Sequence, residues 1–168
     1  MKILNVLPVL PILVCAQSST NYLGSSPAQR HIIDAAAAQK VITAASNKAE
    51  NLSVAENIAV VDPSGSLVAF LKMDNAFPAS FDIATKKART VAGFNGAFTT
   101  AGLYNSSQPG APLYGVEETN GGLIVFGGGV PIFKNGFFIG AVGVSGGSND
   151  QDIDVATAGV QAVGKAAP

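Results

Sequence analysis

Two turn sequences constrain the fold of this chain more than any other feature. Asn135-Gly136 lies between two strand-like runs, Pro131–Lys134 and Phe137–Val144, and this dipeptide is the strongest short signal for a two-residue β-hairpin. The residues DPSG at positions 62–65 fit a type I turn, with Asp first, Pro second and Gly fourth. These residues form the turn of a second predicted hairpin, Asn57–Met73. The sequence therefore predicts antiparallel strands.

Helical and strand-like patterns alternate around these hairpins. Apolar residues recur at helical spacing over Ile32–Glu50 and again over Phe81–Phe94, where Ser80 can cap the second helix. Leu123–Phe126 is a further strand-like run. The order helix, two strands, one or two helices, three strands, helix predicts an α+β domain with an antiparallel sheet of about five strands.

A last helix is predicted close to the C-terminus. Ser148 or Asn149 can cap its start, and its apolar residues recur at helical spacing. Asp150 and Asp152 fall in its first turn, where we expect their charges to cap the positive end of the helix dipole.

The first residues are typical of a secretory signal. Lys2 is followed by an apolar run, and Ala16 fits the small-residue cleavage pattern. The competing interpretation, a membrane anchor, is disfavoured because the run is shorter than the ~20 residues that span a bilayer and contains two prolines. We therefore expect a signal peptide at 1–16 and a secreted, extracellular chain at 17–168 that forms a single domain. Cleavage would remove Cys15, the one cysteine in the sequence.

Composition and charge narrow the class of partner. A chain of 168 residues that is 48% hydrophobic and 12% charged suits one compact domain. The net charge of −1, without a block of lysine or arginine, gives no electrostatic footprint for nucleic acid or anionic lipid. The expected partners are a small molecule and further copies of the chain. Glycosylation sequons at Asn51 and Asn105 fit an exported glycoprotein.

Several motifs occur together in the order that is typical of one family. They are Ala59–Asp62 with Leu67–Phe70, the helix residues Ser80, Ala84, Lys87 and Ala88, the glycines 127–129 with Pro131, the run Ile139–Gly147, and Gln151-Asp152. In this pattern the chain resembles the GlcG/HbpS-like haem-binding family over about Ile32–Val163. The stretch Gln108–Phe133 is especially similar to the C-terminal domain of PduO-type corrinoid adenosyltransferases.

The resemblance implies a fold and a class of ligand. The fold is GlcG-like, of the profilin-like kind, with an antiparallel five-stranded sheet and packed helices, usually assembled as tetramers or octamers. Some members bind haem or another small ligand, and no established reaction is implied. The family usually has arginine where this chain has Lys72, which lacks the planar fork that grips a carboxylate at two points. That departure weakens the case for a propionate-binding role at Lys72.

Candidate ligand-binding residues come from several parts of the chain. Haem iron is held by imidazole, thiolate, methionine or phenolate groups, so the candidate axial ligands are His31, which is the only histidine, and Met73, Tyr22, Tyr104 and Tyr114. The alternative for His31 is a solvated surface residue. Tyr114 and Phe126, with one of Glu117 and Glu118, are candidates for a pocket. The remaining candidates, which either cradle a ligand with their amides or only close a tight strand connection, are Gly127, Gly128 and Gly129.

Lys87 is the candidate catalytic residue. It lies near alanines on the predicted second helix, so packing of that helix on the sheet draws it inward, where it needs a carboxylate partner. We expect Asp74 or Asp62 to be that partner. The result is either a structural ion pair or an acid–base pair whose pKa values burial has separated. In the second case the catalytic residues would be Lys87 with Asp74 or an exposed glutamate.

Three functions are consistent with these residues. The first is a secreted small-molecule-binding protein, with haem or a related tetrapyrrole as its ligand, working as a homo-oligomer. The second is a lyase, isomerase or cyclase that acts on a small metabolite. The third is a structural or interaction protein whose pocket has closed. The chain has no G-x-S-x-G elbow, metal-spaced His/Cys set, dinucleotide-binding glycine pattern or P-loop, which argues against common hydrolases, zinc enzymes and nucleotide binders.

Overall fold

The computed structural model describes residues 25–167, so the predicted signal peptide at 1–16 lies outside the described part of the chain. In chain order the elements are α1 (Ala35–Asn51), β1 (Asn57–Val61), β2 (Leu67–Lys72), α2 (Ser80–Gly93), α3 (Thr100–Leu103), β3 (Gly129–Lys134), β4 (Phe137–Ser145) and α4 (Asn149–Gln161). Two short 3-10 helices, Asn105–Ser107 and Val116–Glu118, lie in the long connection between α3 and β3. No helix within residues 25–167 has both the length and the apolar character to cross a bilayer.

The strands form one antiparallel sheet in the order β2-β1-β4-β3. Both predicted hairpins are confirmed, because β1 pairs with β2 and Lys134 faces Phe137 across the turn between β3 and β4. Asn135 and Gly136 have φ values of +53° and +83°. A type I′ turn requires left-handed values at both positions, which explains why Asn-Gly predicts this turn so well.

The prediction of a fifth strand is wrong for the described residues. Leu123–Phe126 pairs with no strand. Instead, the Ile124 amide donates to Thr90 Oγ1 at 3.0 Å, and the Leu123 amide donates to the Glu117 carbonyl at 3.1 Å. Helix α2 and a neighbouring turn therefore satisfy backbone groups of this segment that a sheet would otherwise have bonded.

The sheet separates two layers of helices. Helix α2 covers one face through Ala84, Ala88 and Ala92, while α1 and α4 pack on the opposite face. A Cβ atom at Gly143, in β4, would collide with the Ala84 carbonyl oxygen. Glycine at this position therefore lets α2 lie directly on the sheet.

Side-chain caps fix where α1 and α4 begin. Asp34 accepts a hydrogen bond from the Ala37 amide at 2.7 Å, so α1 begins at Ala35 and not at the predicted Ile32. Ser148 caps α4 and forms a reciprocal capping box with Gln151, which confirms one of the two predicted caps. The side chain of Asp152 is then available to turn inward.

Candidate functional site

Three ionisable side chains meet at one end of the sheet and are buried there. Lys87 comes from α2, Asp152 from the first turn of α4, and Glu56 from the residue before β1. Their relative accessibilities are 0%, 2% and 0%. Because α2 and α4 lie on opposite faces of the sheet, this cluster joins the two helical layers.

Two short contacts and one aromatic ring hold the ammonium group of Lys87. Nζ donates to Asp152 Oδ2 at 2.6 Å and to the Val144 carbonyl at 2.8 Å. The ring centroid of Phe126 lies 4.8 Å from Nζ, within the range of a cation–π interaction. The predicted inward position of Lys87 is therefore observed.

Neither aspartate that was predicted to pair with Lys87 contacts it. Asp74 is exposed in the turn after β2. Asp62 Oδ1 accepts from two backbone amides within the β1–β2 turn, at 2.8 and 3.1 Å. The predicted pairing is wrong, because Lys87 pairs with Asp152 instead. Asp152 lies 65 residues further along the sequence, so no local pattern connects the two. The expected acid–base pair of Lys87 and Asp74 is not formed, and any catalytic role for either residue stays a prediction.

Glu56 is the member of the cluster that the sequence did not reveal. The Gly147 amide donates to Glu56 Oε2 at 3.2 Å and to Asp152 Oδ1 at 3.0 Å. Glu56 Oε1 is buried and has no hydrogen-bond partner among the described residues. Burial and the neighbouring Asp152 carboxylate raise the pKa of Glu56 to about 8. The one signal that the sequence offered for the burial of Glu56 was its position directly before the mostly apolar strand NIAVV, which the structure shows to be buried at every residue.

Burial also acts on the two charged groups of the ion pair. It lowers the pKa of Lys87, while the Asp152 carboxylate acts in the opposite direction. It raises the pKa of Asp152, while the Lys87 ammonium opposes that effect. With Glu56 protonated at neutral pH, the cluster contains one cation and one anion in contact. This charge balance is what a buried structural ion pair requires.

The predicted glycine triplet packs directly on this cluster. A Cβ atom at Gly128, where φ is +117°, would lie 2.8 Å from Lys87 Nζ and 2.9 Å from Asp152 Cβ. The Gly129 amide is already occupied, because it donates to Thr100 Oγ1 at 2.8 Å. Glycine is needed here so that the backbone can approach the buried pair closely. The predicted ligand-binding role of the triplet stays a prediction.

Phe126 contacts the buried cluster and also lines a cleft of about 210 Å³. Gly127, Tyr104 and Ile153 contribute to the same cleft. Tyr114, which was predicted to share a pocket with Phe126, is 65% exposed and does not line this cleft. The structure therefore does not bring these two predicted ligand-binding residues together there.

His31 lines a separate pocket of about 190 Å³ between the start of α1 and the β3–β4 hairpin. Its ring stacks on Phe137, with the centroids 3.7 Å apart and the planes 7° from parallel. Other residues that line the pocket are Ile33, Ala37, Ile139 and Lys134. Stacking covers one face of the imidazole, whereas the nitrogen lone pair lies in the ring plane. The ring can therefore still coordinate a metal ion.

The backbone on either side of His31 holds it at this pocket. The Ile32 amide donates to the Pro27 carbonyl at 2.9 Å, and the Ile33 amide donates to the Ile139 carbonyl at 2.8 Å. His31 itself has a left-handed φ of +53°. Within residues 25–167, no group of three or more His, Cys, Asp or Glu side chains is arranged to hold a metal ion.

Comparisons with known proteins agree on one family. A family model described as haem degrading protein HbpS-like matches residues 33–161. An uncharacterised 15.0 kDa protein from the dhaT-dhaS intergenic region of Citrobacter freundii is 42% identical over 121 residues, which cover 71% of this chain and 84% of that protein.

Two further relatives connect the chain to PduO. The corrinoid adenosyltransferase PduO of Citrobacter freundii is 38% identical over 121 residues, which cover 71% of this chain but 36% of PduO. The chain thus spans about a third of the length of that protein. The crystal structure of a PduOC:haem complex is similar, with a TM-score of 0.77 and 32% identity, over 82% of this chain and 99% of the other.

Proposed function

Because the chain belongs to the HbpS-like family, we propose that it binds haem or a related tetrapyrrole, with His31 as the axial ligand of the iron. The observation that carries this proposal is the exposed His31 imidazole beside a partly apolar pocket. Imidazole is the axial ligand of haem iron in several protein classes. The similarity to a PduOC:haem complex supports the class of ligand.

The residues around His31 fit a haem group chemically. Ile33, Ala37 and Ile139 offer apolar surface to a macrocycle, and Lys134 offers a cation to a propionate. Bound haem would supply an iron centre with open coordination chemistry. The role of the protein would be to ligate the iron through His31 and to shield one side of the haem from water.

The pocket of a single chain is too small to enclose such a ligand. Its volume of about 190 Å³ is below the roughly 300–1,000 Å³ of pockets that enclose a drug-sized molecule. We therefore propose a homo-oligomer in which a second copy covers the remaining surface of the ligand. Phe137, which is 48% exposed beside His31, supplies apolar surface for that contact.

Absorbance titration of the full mature chain with haem tests the proposal. The wild type should give a saturable change in the main haem absorption band. His31→Gly should weaken binding at least ten-fold, and added imidazole should restore the wild-type band position. Glycine accepts the left-handed backbone at residue 31, so this variant should fold normally.

The matched control is Tyr114→Phe, which removes an exposed phenol that is also able to ligate haem iron. This variant should titrate like the wild type. The proposal is wrong if the wild type shows no saturable change at micromolar haem, or if His31→Gly gives the same affinity and spectrum.

We also propose that residues 1–16 direct export and that the mature chain begins at Gln17. The support is the sequence pattern, together with the exposed positions of the sequon residues Asn51 and Asn105. Mass spectrometry of the protein from the culture medium of its source should find Gln17 at the N-terminus. Enzymatic deglycosylation should lower the mass if either sequon is occupied. An intracellular protein that retains Lys2 would contradict export.

The predicted alternative, an acid–base enzyme that uses Lys87, has less support. The side chains of Lys87 and Asp152 are 0% and 3% exposed, and Phe126 lies against Nζ. A metabolite would reach Nζ only after this packing had opened. The buried pair therefore favours a structural role over catalysis.

A further inference from the structure

A cleft of about 510 Å³ lies apart from both the His31 pocket and the buried Lys87 cluster. Its walls come from the β1–β2 turn at 63–66, from α2, and from the segment 120–123. It shares no lining residue with the pocket at His31. Its volume falls within the roughly 300–1,000 Å³ of small-molecule sites.

Arg89 is the main cation of this cleft. Its Nε donates to the Gly65 carbonyl at 3.1 Å, which fixes the guanidinium against the β1–β2 turn. Among residues 25–167 this is its one hydrogen bond, so four of the five N–H donors of the guanidinium remain available. A planar fork with free donors matches the two oxygens of a carboxylate.

Lys86 lies three residues earlier on α2, and residues at this spacing share one side of a helix. Its Nζ pairs with Asp82 at 2.8 Å, with side-chain exposures of 34% and 66%. An exposed pair of this kind is weak, so an incoming anion can compete for the ammonium. The absence of a side chain at Gly122 leaves room beside Nζ, since a Cβ there would approach it to 3.4 Å.

The rest of the lining suits an anion that carries an apolar part. None of the lining residues within 25–167 is acidic. Asp62 lies nearby, but its Oδ1 already accepts from the Ser64 hydroxyl at 2.6 Å and from two turn amides. Apolar surface in the cleft comes from Ala92, Phe94 and Leu123.

We propose that this cleft binds a small amphipathic organic acid, whose carboxylate is held by Arg89 and Lys86. A singly charged carboxylate is favoured over a phosphate dianion because the cleft lies along the C-terminal half of α2. The helix dipole there carries partial negative charge, which opposes every anion and opposes a dianion more strongly than a monoanion. The apolar part of the acid packs against Phe94, the half-buried aromatic side chain of the lining.

Calorimetric titration of the full mature chain with hexanoate, benzoate, hexanol and inorganic phosphate tests this site. The two acids should bind saturably, and hexanol and phosphate should bind at least ten-fold more weakly. Arg89→Gln should weaken hexanoate binding about three- to five-fold, as expected for the loss of one exposed charged contact, and Lys86→Glu should weaken it further because it also adds a repelling charge. Lys86→Glu keeps the Arg89–Gly65 bond, so it remains informative if Arg89→Gln folds poorly.

Two controls separate this site from the others. Lys40→Gln changes an exposed lysine on α1 and should leave hexanoate binding unchanged. His31→Gly should also leave it unchanged, which makes the result independent of haem binding. The inference is overturned if neither acid binds saturably, if both cleft variants bind like the wild type, or if hexanol or phosphate binds as tightly as hexanoate.

Discussion

The ammonium nitrogen of Lys87 lies 2.6 Å from Asp152 Oδ2, although 65 residues separate the two in sequence. Lys87 belongs to the helix motif, and Asp152 to the Gln-Asp motif, on which the family resemblance was based. One role of these two motifs is therefore to meet around the end of the sheet and to connect α2 with α4. Since both partners are buried, removing one leaves the other charge without compensation.

Asp152→Asn should destabilise the fold by about 3–5 kcal/mol, because it leaves the Lys87 ammonium buried without its counter-ion. The asparagine carbonyl can still accept the Gly147 amide, so the charge is the main loss. The control on the same helix is Asp154→Asn, which breaks an exposed 3.7 Å pair with Lys48 and should change stability by less than about 1 kcal/mol. Urea unfolding measures both values, and equal effects would contradict the ion-pair assignment.

A double-mutant cycle should show strong coupling between the two partners. Lys87→Met combined with Asp152→Asn should cost less than the sum of the single changes, with a coupling of about 1–3 kcal/mol. The physical reason is that the double variant leaves no unpaired charge in the core. Additive losses, measured by the same urea unfolding, would show that Lys87 and Asp152 do not act as a pair.

The stability of the protein should fall as pH rises from about 5 to about 8. Burial and Asp152 raise the pKa of Glu56 from an ordinary value of 4.5 to about 8, so in this window the folded chain holds a proton that the unfolded chain has released. The state with more bound protons is favoured at low pH, which gives the sign. Asp152, whose pKa is also raised, acts in the same direction. The lowered pKa of Lys87 acts in the opposite direction, but only where the folded chain has lost that proton.

Glu56→Gln should flatten this pH profile, because glutamine does not titrate and can still accept the Gly147 amide. Urea unfolding at several pH values between 5 and 8 measures the slope for both proteins. A flat profile for the wild type, or an unchanged slope in Glu56→Gln, would contradict the assignment of the proton to Glu56.

Local signals predicted the parts of the fold that depend on local physics. The left-handed Asn135-Gly136 turn fixed one hairpin, and the apolar stripe of α2 correctly indicated that Lys87 turns inward. Local signals could not identify the partner of Lys87. That partner, Asp152, reaches Lys87 only because of how α4 packs against the sheet. Asp152 was instead expected to cap its own helix, a task that Ser148 performs.

The missed strand and the missed acid have related causes. Leu123–Phe126 has the composition of a strand, but its first two amides bond to the Glu117 carbonyl and to Thr90, which no sequence pattern predicts. Glu56 looked like a polar residue in front of a strand. Its burial depends on Gly147 and Asp152, which reach it from the far end of the chain.

Gly143→Ala should be among the most damaging single-methyl additions in the sheet. The new Cβ would overlap the Ala84 carbonyl and lie 2.5 Å from the Ala88 amide nitrogen, so α2 would have to move off the sheet. Overpacking of this kind costs roughly 1–3 kcal/mol and more where backbone must shift. Gly93→Ala is the control, since its Cβ would meet nothing within 4 Å, and it should be neutral or slightly stabilising. Similar thermal midpoints for the two variants would contradict this account of the α2 interface.

Lys134→Met should weaken haem binding about two- to five-fold, as expected for one partly exposed ion pair of less than about 1 kcal/mol with a propionate. Lys134 ends β3 and lines the His31 pocket, whereas Lys72 ends the edge strand β2 and does not line it. Lys72→Met should therefore leave the affinity unchanged. Absorbance titrations at low and high salt measure the effect, which salt should reduce because it screens exposed charges. The dimethyl ester of haem, which lacks the propionate charges, should bind the wild type and Lys134→Met equally. A loss of affinity in Lys72→Met but not in Lys134→Met would place the propionates at the other end of the fold.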